Sequence, residues 1–145
     1  MEIMLALTLP RDELSVPLAR HVVRTAMERA GVAAACVDDV VLALSEACTN
    51  VLLHAGAGDE YDVRFQLENR RCRIRVVDVG HGFDSLATRR EGAQPDAERG
   101  RGLALMRALV DQVRFTSRPE DGTVVTMEKE LQFADPALLR GGGDA

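Results

Sequence analysis

The 145-residue chain has no tryptophan, a single tyrosine and four phenylalanines, so aliphatic side chains must supply its core. Lysine is nearly absent: of the 18 basic residues, only Lys129 is a lysine. There is no basic surplus either. The net charge of −5 argues against a protein that holds nucleic acid by neutralising phosphates. No apolar run is long enough to cross a bilayer, and no basic start leads into an apolar stretch as in a secretory signal. Direct contact with nucleic acid or membrane is therefore not expected, and the cytosol is the expected location. The three cysteines, Cys36, Cys48 and Cys72, lack metal-ligand or CxxC spacing. Each falls in an apolar pattern, where a buried thiol is the usual occupant.

What is present describes one soluble globular domain, with 46% apolar and 28% charged residues and a length sufficient to bury a core. Ile3, Leu5, Leu7 and Leu9 alternate with other residues, which predicts a first strand over 2–9, ended by Pro10. A helix is expected from Asp12 to Ala30, with Pro17 tolerable only if regular helix begins near it, and a second from about Ala33 to His54. The period then switches from 3.6 to 2. Tyr61, Val63, Phe65 and Leu67, then Cys72, Ile74 and Val76, give a hairpin closed at Asn69-Arg70. Residues 80–101 have no apolar period, and a loop of that length inside a compact domain is usually functional. A short helix over 103–110 and strands over 112–117 and 123–131 complete the order β-α-α-β-β-loop-α-β-β. That order predicts an α+β, two-layer sandwich: a mixed, mostly antiparallel sheet with helices on one face. The domain is expected to span 1–133, with a frayed tail over 134–145.

Four groups of residues carry candidate chemistry. On the second helix, Val37, Val40, Val41, Leu44, Cys48, Val51 and Leu52 form the core stripe, while Glu46, Asn50 and His54 recur every four residues away from it. That second side also carries Ala43, Ala47 and Leu53, so the helix reads as covered on both sides, and Glu46 and Asn50 then need a ligand or metal as partner. Asp78 shares the inward face of Cys72, Ile74 and Val76. A carboxylate there requires a hydrogen-bond donor such as adenine's amino group, unless it simply caps the loop that follows. Gly80 and Gly82, next in line, permit close approach of the backbone to a flat ring, although turns also produce this pattern. Glu98-Arg99-Gly100-Arg101-Gly102-Leu103 reads as a junction of loop and helix whose free N–H groups and arginines suit phosphate, or else as a flexible loop end. Thr123, on the face of Val125 and Met127, places a hydroxyl inward or serves only as a strand-favouring residue.

Taken in order, Glu46-xxx-Asn50-xxx-His54-Ala55, Asp78-x-Gly80-x-Gly82-Phe83, Gly100-Arg101-Gly102-Leu103 and Gly122-Thr123 resemble the GHKL ATPase superfamily. More narrowly, the set is similar to bacterial anti-sigma-factor serine/threonine kinases and their ATP-binding regulatory relatives, over roughly residues 8 to 130. The resemblance implies the Bergerat ATP-binding fold, with ATP and Mg²⁺ as cofactors. It also implies a role for each position. Asn50 holds the Mg²⁺, Glu46 acts as general base toward an incoming hydroxyl, and Asp78 accepts from the adenine amino group with Thr123 assisting through a water. Gly80 and Gly82 border the purine; Gly100, Arg101, Gly102 and Leu103 lie at the phosphates; residues 84–99 form a lid. The implied partners are a small STAS-type anti-anti-sigma protein, phosphorylated on serine or threonine, and a sigma factor. A homodimer is implied as well, with the first helix including Arg20 as a partner surface. The competing expectation is a nucleotide-responsive binding module that sequesters a partner without transferring phosphate. Retention of both Glu46 and Asn50 favours the kinase, since a pure binder needs no base.

Overall fold

A computed structural model of the chain describes residues 1–54, 58–78, 97–118 and 122–134. Five strands and three helices are formed among them: β1 (Glu2–Pro10), α1 (Ser15–Arg29), α2 (Ala34–His54), β2 (Glu60–Glu68), β3 (Arg71–Asp78), α3 (Ala97–Leu109), β4 (Gln112–Arg118) and β5 (Gly122–Glu130). The strands make one sheet in the order β1-β2-β3-β5-β4. The expected α+β fold is formed, and all four pairings among the described strands are antiparallel, so the sheet expected to be mostly antiparallel is antiparallel throughout. The reason lies in the connections: β2 and β3 join through a tight hairpin, and α3 delivers the chain to the far edge of the sheet, from which β5 returns beside β3. Asn69, at φ 58, takes the left-handed conformation the hairpin needs, which asparagine tolerates better than other residues with a Cβ.

Alternation decides which face of the sheet is dry. Tyr61, Val63, Phe65 and Leu67 of β2, Cys72, Ile74 and Val76 of β3, and Val125 and Met127 of β5 are all buried, and α2 lies over β3 and β5. Burying a side chain such as Phe65 or Ile74 stabilises the fold by about 1.5–3 kcal/mol. Helix α1 contributes Ala19, Val23 and Met27, spaced one turn apart, to the same core. It starts at Ser15, so Pro17 falls in the first turn, where its missing N–H costs no intrahelical bond. Asp12 fastens that start: its Oδ1 accepts from the Leu14 and Ser15 backbone N–H groups at 3.0 and 3.1 Å.

The end of β5 is also fastened. Val32 forms a bridge with Phe133, the Ala33 N–H donates to the Gln132 carbonyl at 2.7 Å, and the Ala134 N–H donates to the Gly31 carbonyl at 2.9 Å. The turn between α1 and α2 is thereby tied to the sheet by backbone bonds.

Helix α3 begins at Ala97, six residues before the start expected from the sequence. Gly100 and Gly102 read as helix breakers, each costing about 1 kcal/mol relative to alanine. Packing of α3 against α2 outweighs that cost. The lid assigned to 84–99 therefore overlaps the helix over 97–99, while its residues 84–96 lie outside the described residues, as does the tail beyond 134.

All three thiols are buried, as their apolar settings predict. Burial pushes Cys48 up from 9.0 to about 12, against a hydrogen bond with Tyr61 that lowers it, and Cys72 likewise to about 12, against a backbone hydrogen bond at Lys129. Between those values the unfolded chain holds fewer protons than the folded one, so stability contributed below pH 9 is lost as pH rises toward 12. Melting temperature should accordingly fall between about pH 9 and pH 11, and Ellman's reagent should titrate these thiols only after denaturant is added.

Candidate functional site

The site assembles where the C-terminal half of α2, the start of α3, and the ends of β3 and β1 meet. Helix α2 is covered on two sides: it packs against α1 and against α3, and it lies over the sheet. Ala43 and Ala47 are fully buried alongside Val40, Leu44 and Cys48, as a helix flanked on both sides requires. The covering ends before Leu53, which is 57% exposed. Asn50 is buried, and its Nδ2 amide has no hydrogen-bond partner among the described residues. Left unsatisfied, such a group costs about 1–3 kcal/mol. Glu46, one turn earlier, is half-buried and makes no hydrogen bond or ion pair with any described residue.

Gly102 faces that amide from α3. A Cβ placed there would lie 3.7 Å from Asn50 Nδ2 and 3.8 Å from Asn50 Oδ1, so the missing side chain is what leaves room beside the carboxamide. The sequence places Gly100, Arg101 and Gly102 at a loop–helix junction. The structure corrects this: all three lie inside α3, whose free N–H groups belong to its first turn from Ala97. Leu103 follows, half-buried against the core.

Asp78 closes β3 and is 1% exposed, continuing the inward row of Cys72, Ile74 and Val76 as its alternation predicts. Across the ladder stands Thr123, buried, on the strand that Gly122 opens with φ 74. The two polar side chains thus sit side by side on an otherwise apolar face. The loop-capping alternative for Asp78 does not describe this burial. Instead a residue that the sequence did not single out meets it: Arg11 Nη1 donates to Asp78 Oδ2 at 2.8 Å. The other guanidinium nitrogen of Arg11 donates to the carbonyls of Val51 and Leu52 at 3.2 and 3.4 Å. One side chain from the turn after β1 therefore joins the end of β3 to the last turns of α2. No local signal marks it, since an arginine following Pro10 reads as a solvated turn residue.

Gly80 and Gly82 lie outside the described residues, as do the side chains of His54 and Arg101, so their assigned contacts are not located. Arg20 is exposed on α1. It lines a groove of about 450 Å³ between α1 and α2, together with Pro17, His21, Arg24, Asp38, Val41, Leu42 and Ser45. Among the described residues, no group of three His, Cys, Asp or Glu side chains could hold a metal ion. No described helix is long and apolar enough to cross a membrane.

Comparison with known proteins places this geometry in context. The model of the histidine kinase-like ATPase domain matches residues 9–129. The serine-protein kinase RsbW of Halalkalibacterium halodurans is 33% identical over 135 residues, covering 87% of this chain and 82% of that protein. The anti-sigma F factor of Clostridium acetobutylicum is 32% identical over 105 residues, covering 68% of this chain and 73% of that protein. Among solved structures, the RsbU and RsbW domains of a Mycobacterium tuberculosis protein superpose with a TM-score of 0.70 at 24% identity, over 89% of this chain and 32% of that one. The SiaB–SiaC complex of Pseudomonas aeruginosa gives 0.56 at 14% identity, over 88% of each chain. These two show likeness of fold.

Proposed function

Because the chain belongs to the histidine kinase-like ATPase domain family, we propose that it is an ATP-dependent serine/threonine kinase of the anti-sigma-factor type, acting on a small STAS-type antagonist in the cytosol. The observation that supports this reading is a pair of buried polar sites: Asp78 beside Thr123 in one place, and in the other the Asn50 amide, which faces Gly102 and has no partner among the described residues. These fit the two ends of a nucleotide.

Asp78, fixed by Arg11, accepts from the exocyclic amino group of adenine, and Thr123 assists from the neighbouring strand. Guanine presents a carbonyl at that position, so the carboxylate selects the purine. Asn50 would hold Mg²⁺, since its carboxamide oxygen is the hard donor such a cation takes, and its Nδ2 would remain a hydrogen-bond donor toward phosphate. When bound, the ion neutralises charge on the phosphates. Glu46, one turn from Asn50 and without a hydrogen bond or ion pair to any described residue, accepts the proton of a serine or threonine hydroxyl as that oxygen bonds to phosphorus and ADP leaves. By the family resemblance, Gly80, Gly82, Gly100, Arg101, Gly102 and Leu103 would border the nucleotide, the segment leading into α3 would cover it, and Arg20 would meet the partner. Phosphorylation of the antagonist changes which of two proteins, antagonist or sigma factor, a dimer of this kinase retains. Similarity to the serine-protein kinase RsbW and to the anti-sigma F factor supports this assignment.

Calorimetry with Mg-ADP tests the pocket. The intact chain should bind it, and Asp78→Asn should weaken binding by about 10- to 100-fold, the worth of one hydrogen bond to a charged acceptor. A circular-dichroism melt of the variant separates this from unfolding. Incubation with labelled Mg-ATP and a STAS protein tests the reaction. Label on a partner serine or threonine supports the kinase, whereas tight nucleotide binding with no transfer to any partner would leave only a binding module.

A further inference from the structure

The face of the sheet turned away from the helices carries a row of like charges. Antiparallel register sets Arg64 directly across from Arg75, Arg75 across from Thr126, and Thr126 across from Arg114. All three arginines are exposed, and none makes an ion pair with a described residue. At about 4.8 Å between strands, the register sets these three arginines in one row spanning roughly 15 Å across four strands. The next row is built differently: Arg73 pairs there with Glu128 at 3.1 Å. Nearby carboxylates have partners of their own, Asp62 accepting from Thr8 at 3.0 Å and Glu68 from Gln66 at 3.4 Å.

Arginines directly across a ladder repel, so this row weakens the sheet in isolation. An acidic chain with 23 carboxylates has ample means to interrupt it and does not. The small Thr126 also leaves a dip in the row: a cavity of about 210 Å³ lies over it, lined by Arg73, Arg75, Gln112, Arg114, Thr126 and Glu128.

We propose that this row docks an acidic segment of a protein partner, on the side of the sheet opposite the nucleotide pocket. Charge complementarity selects the occupant. Arginine takes carboxylates in paired hydrogen bonds, and same-side residues of an extended peptide recur about every 6.8 Å, a spacing three guanidiniums in a row can follow. No aromatic side chain stands at an outward position of these strands, so unpaired bases have nothing to stack on. Glu2, Glu60, Glu68 and Glu130 rim the same face, and they repel a long polyanion or an anionic bilayer that must cover the whole of it. A second copy set against this face by a two-fold axis would oppose one arginine row to another.

The test is fluorescence anisotropy of a labelled oligoglutamate peptide titrated with the intact chain at low salt, with backbone amide shifts recorded by NMR. Binding is expected, with shifts centred on Arg64, Arg75, Arg114 and Thr126. Arg64→Gln/Arg75→Gln should weaken it about tenfold, whereas Arg29→Gln/Arg107→Gln, which removes the same charge from the helices, should change it less than about twofold. The proposal is overturned by no binding, by equal weakening in both pairs, or by shifts confined to the helices. Tighter binding of a single-stranded oligonucleotide or of phosphatidylserine vesicles would overturn it too. So would a change in the mass of the protein in solution on Arg64→Gln/Arg75→Gln, which would assign the face to a second copy.

Discussion

With Glu46 replaced by glutamine, phosphate transfer to a STAS-type substrate should drop by roughly 10²- to 10³-fold while Mg-ADP affinity stays within about threefold. Glutamine keeps the shape of the side chain and removes only its capacity to take a proton. The change breaks no hydrogen bond or ion pair with a described residue, and glutamine preserves the packing of the half-buried side chain. Its immediate neighbours Ala47 and Cys48 face the core independently of it. Folding should therefore be untouched, and the loss should appear in the chemical step alone. Single-turnover transfer at saturating nucleotide, set beside a binding isotherm, separates the two quantities. Unimpaired transfer in the variant would remove Glu46 from the reaction and require another base.

The second large effect concerns stability. Arg11→Met should destabilise the fold by about 3 kcal/mol, because removing one member of a buried pair takes a charged donor from a carboxylate that water does not reach. The guanidinium is 12% exposed and Asp78 is 1% exposed. The same substitution also takes donors from the Val51 and Leu52 carbonyls near the end of α2, where helix carbonyls lack intrahelical partners. Arg11→Lys should recover only part of the loss, since a single ammonium cannot reach the carboxylate and the carbonyls with the fixed fork that arginine offers. Urea denaturation measures both. Mg-ADP at about a hundred times its dissociation constant should return about 2.7 kcal/mol to any variant that still binds it. A Met variant as stable as the parent chain would show that the pair contributes nothing net, as some buried ion pairs do.

Arg11 also marks the limit of what the sequence discloses. Glu46, Asn50, Asp78 and Thr123 were legible because each breaks a period: a polar residue on a covered helix side, or an acid or hydroxyl on the inward face of a strand. Arg11 breaks none. Its role follows from β1 and β3 lying two strands apart with their site ends on the same side, a long-range juxtaposition that no local pattern encodes. The strands were legible for the same reason as the acids, since alternation over Tyr61–Leu67 and Cys72–Val76 is strict. Helix α3 was read short because Gly100 and Gly102 outweigh its weak apolar stripe locally, while its contact with α2 is tertiary. The antiparallel sense of the whole sheet depends on how α3 returns the chain, and element order alone leaves that open.

The backbone bonds at Ala33, Gln132 and Ala134 have a practical consequence for anyone who shortens or extends this protein. Ending the chain after Glu130 would remove the partner of the α1–α2 turn, uncover Val32, and delete Leu131, which is 1% exposed in the intact fold. A fusion or affinity tag joined at that point would have to displace the same bonds to find room. The last residue that can be dispensed with therefore lies past Ala134, beyond the apparent end of the sheet.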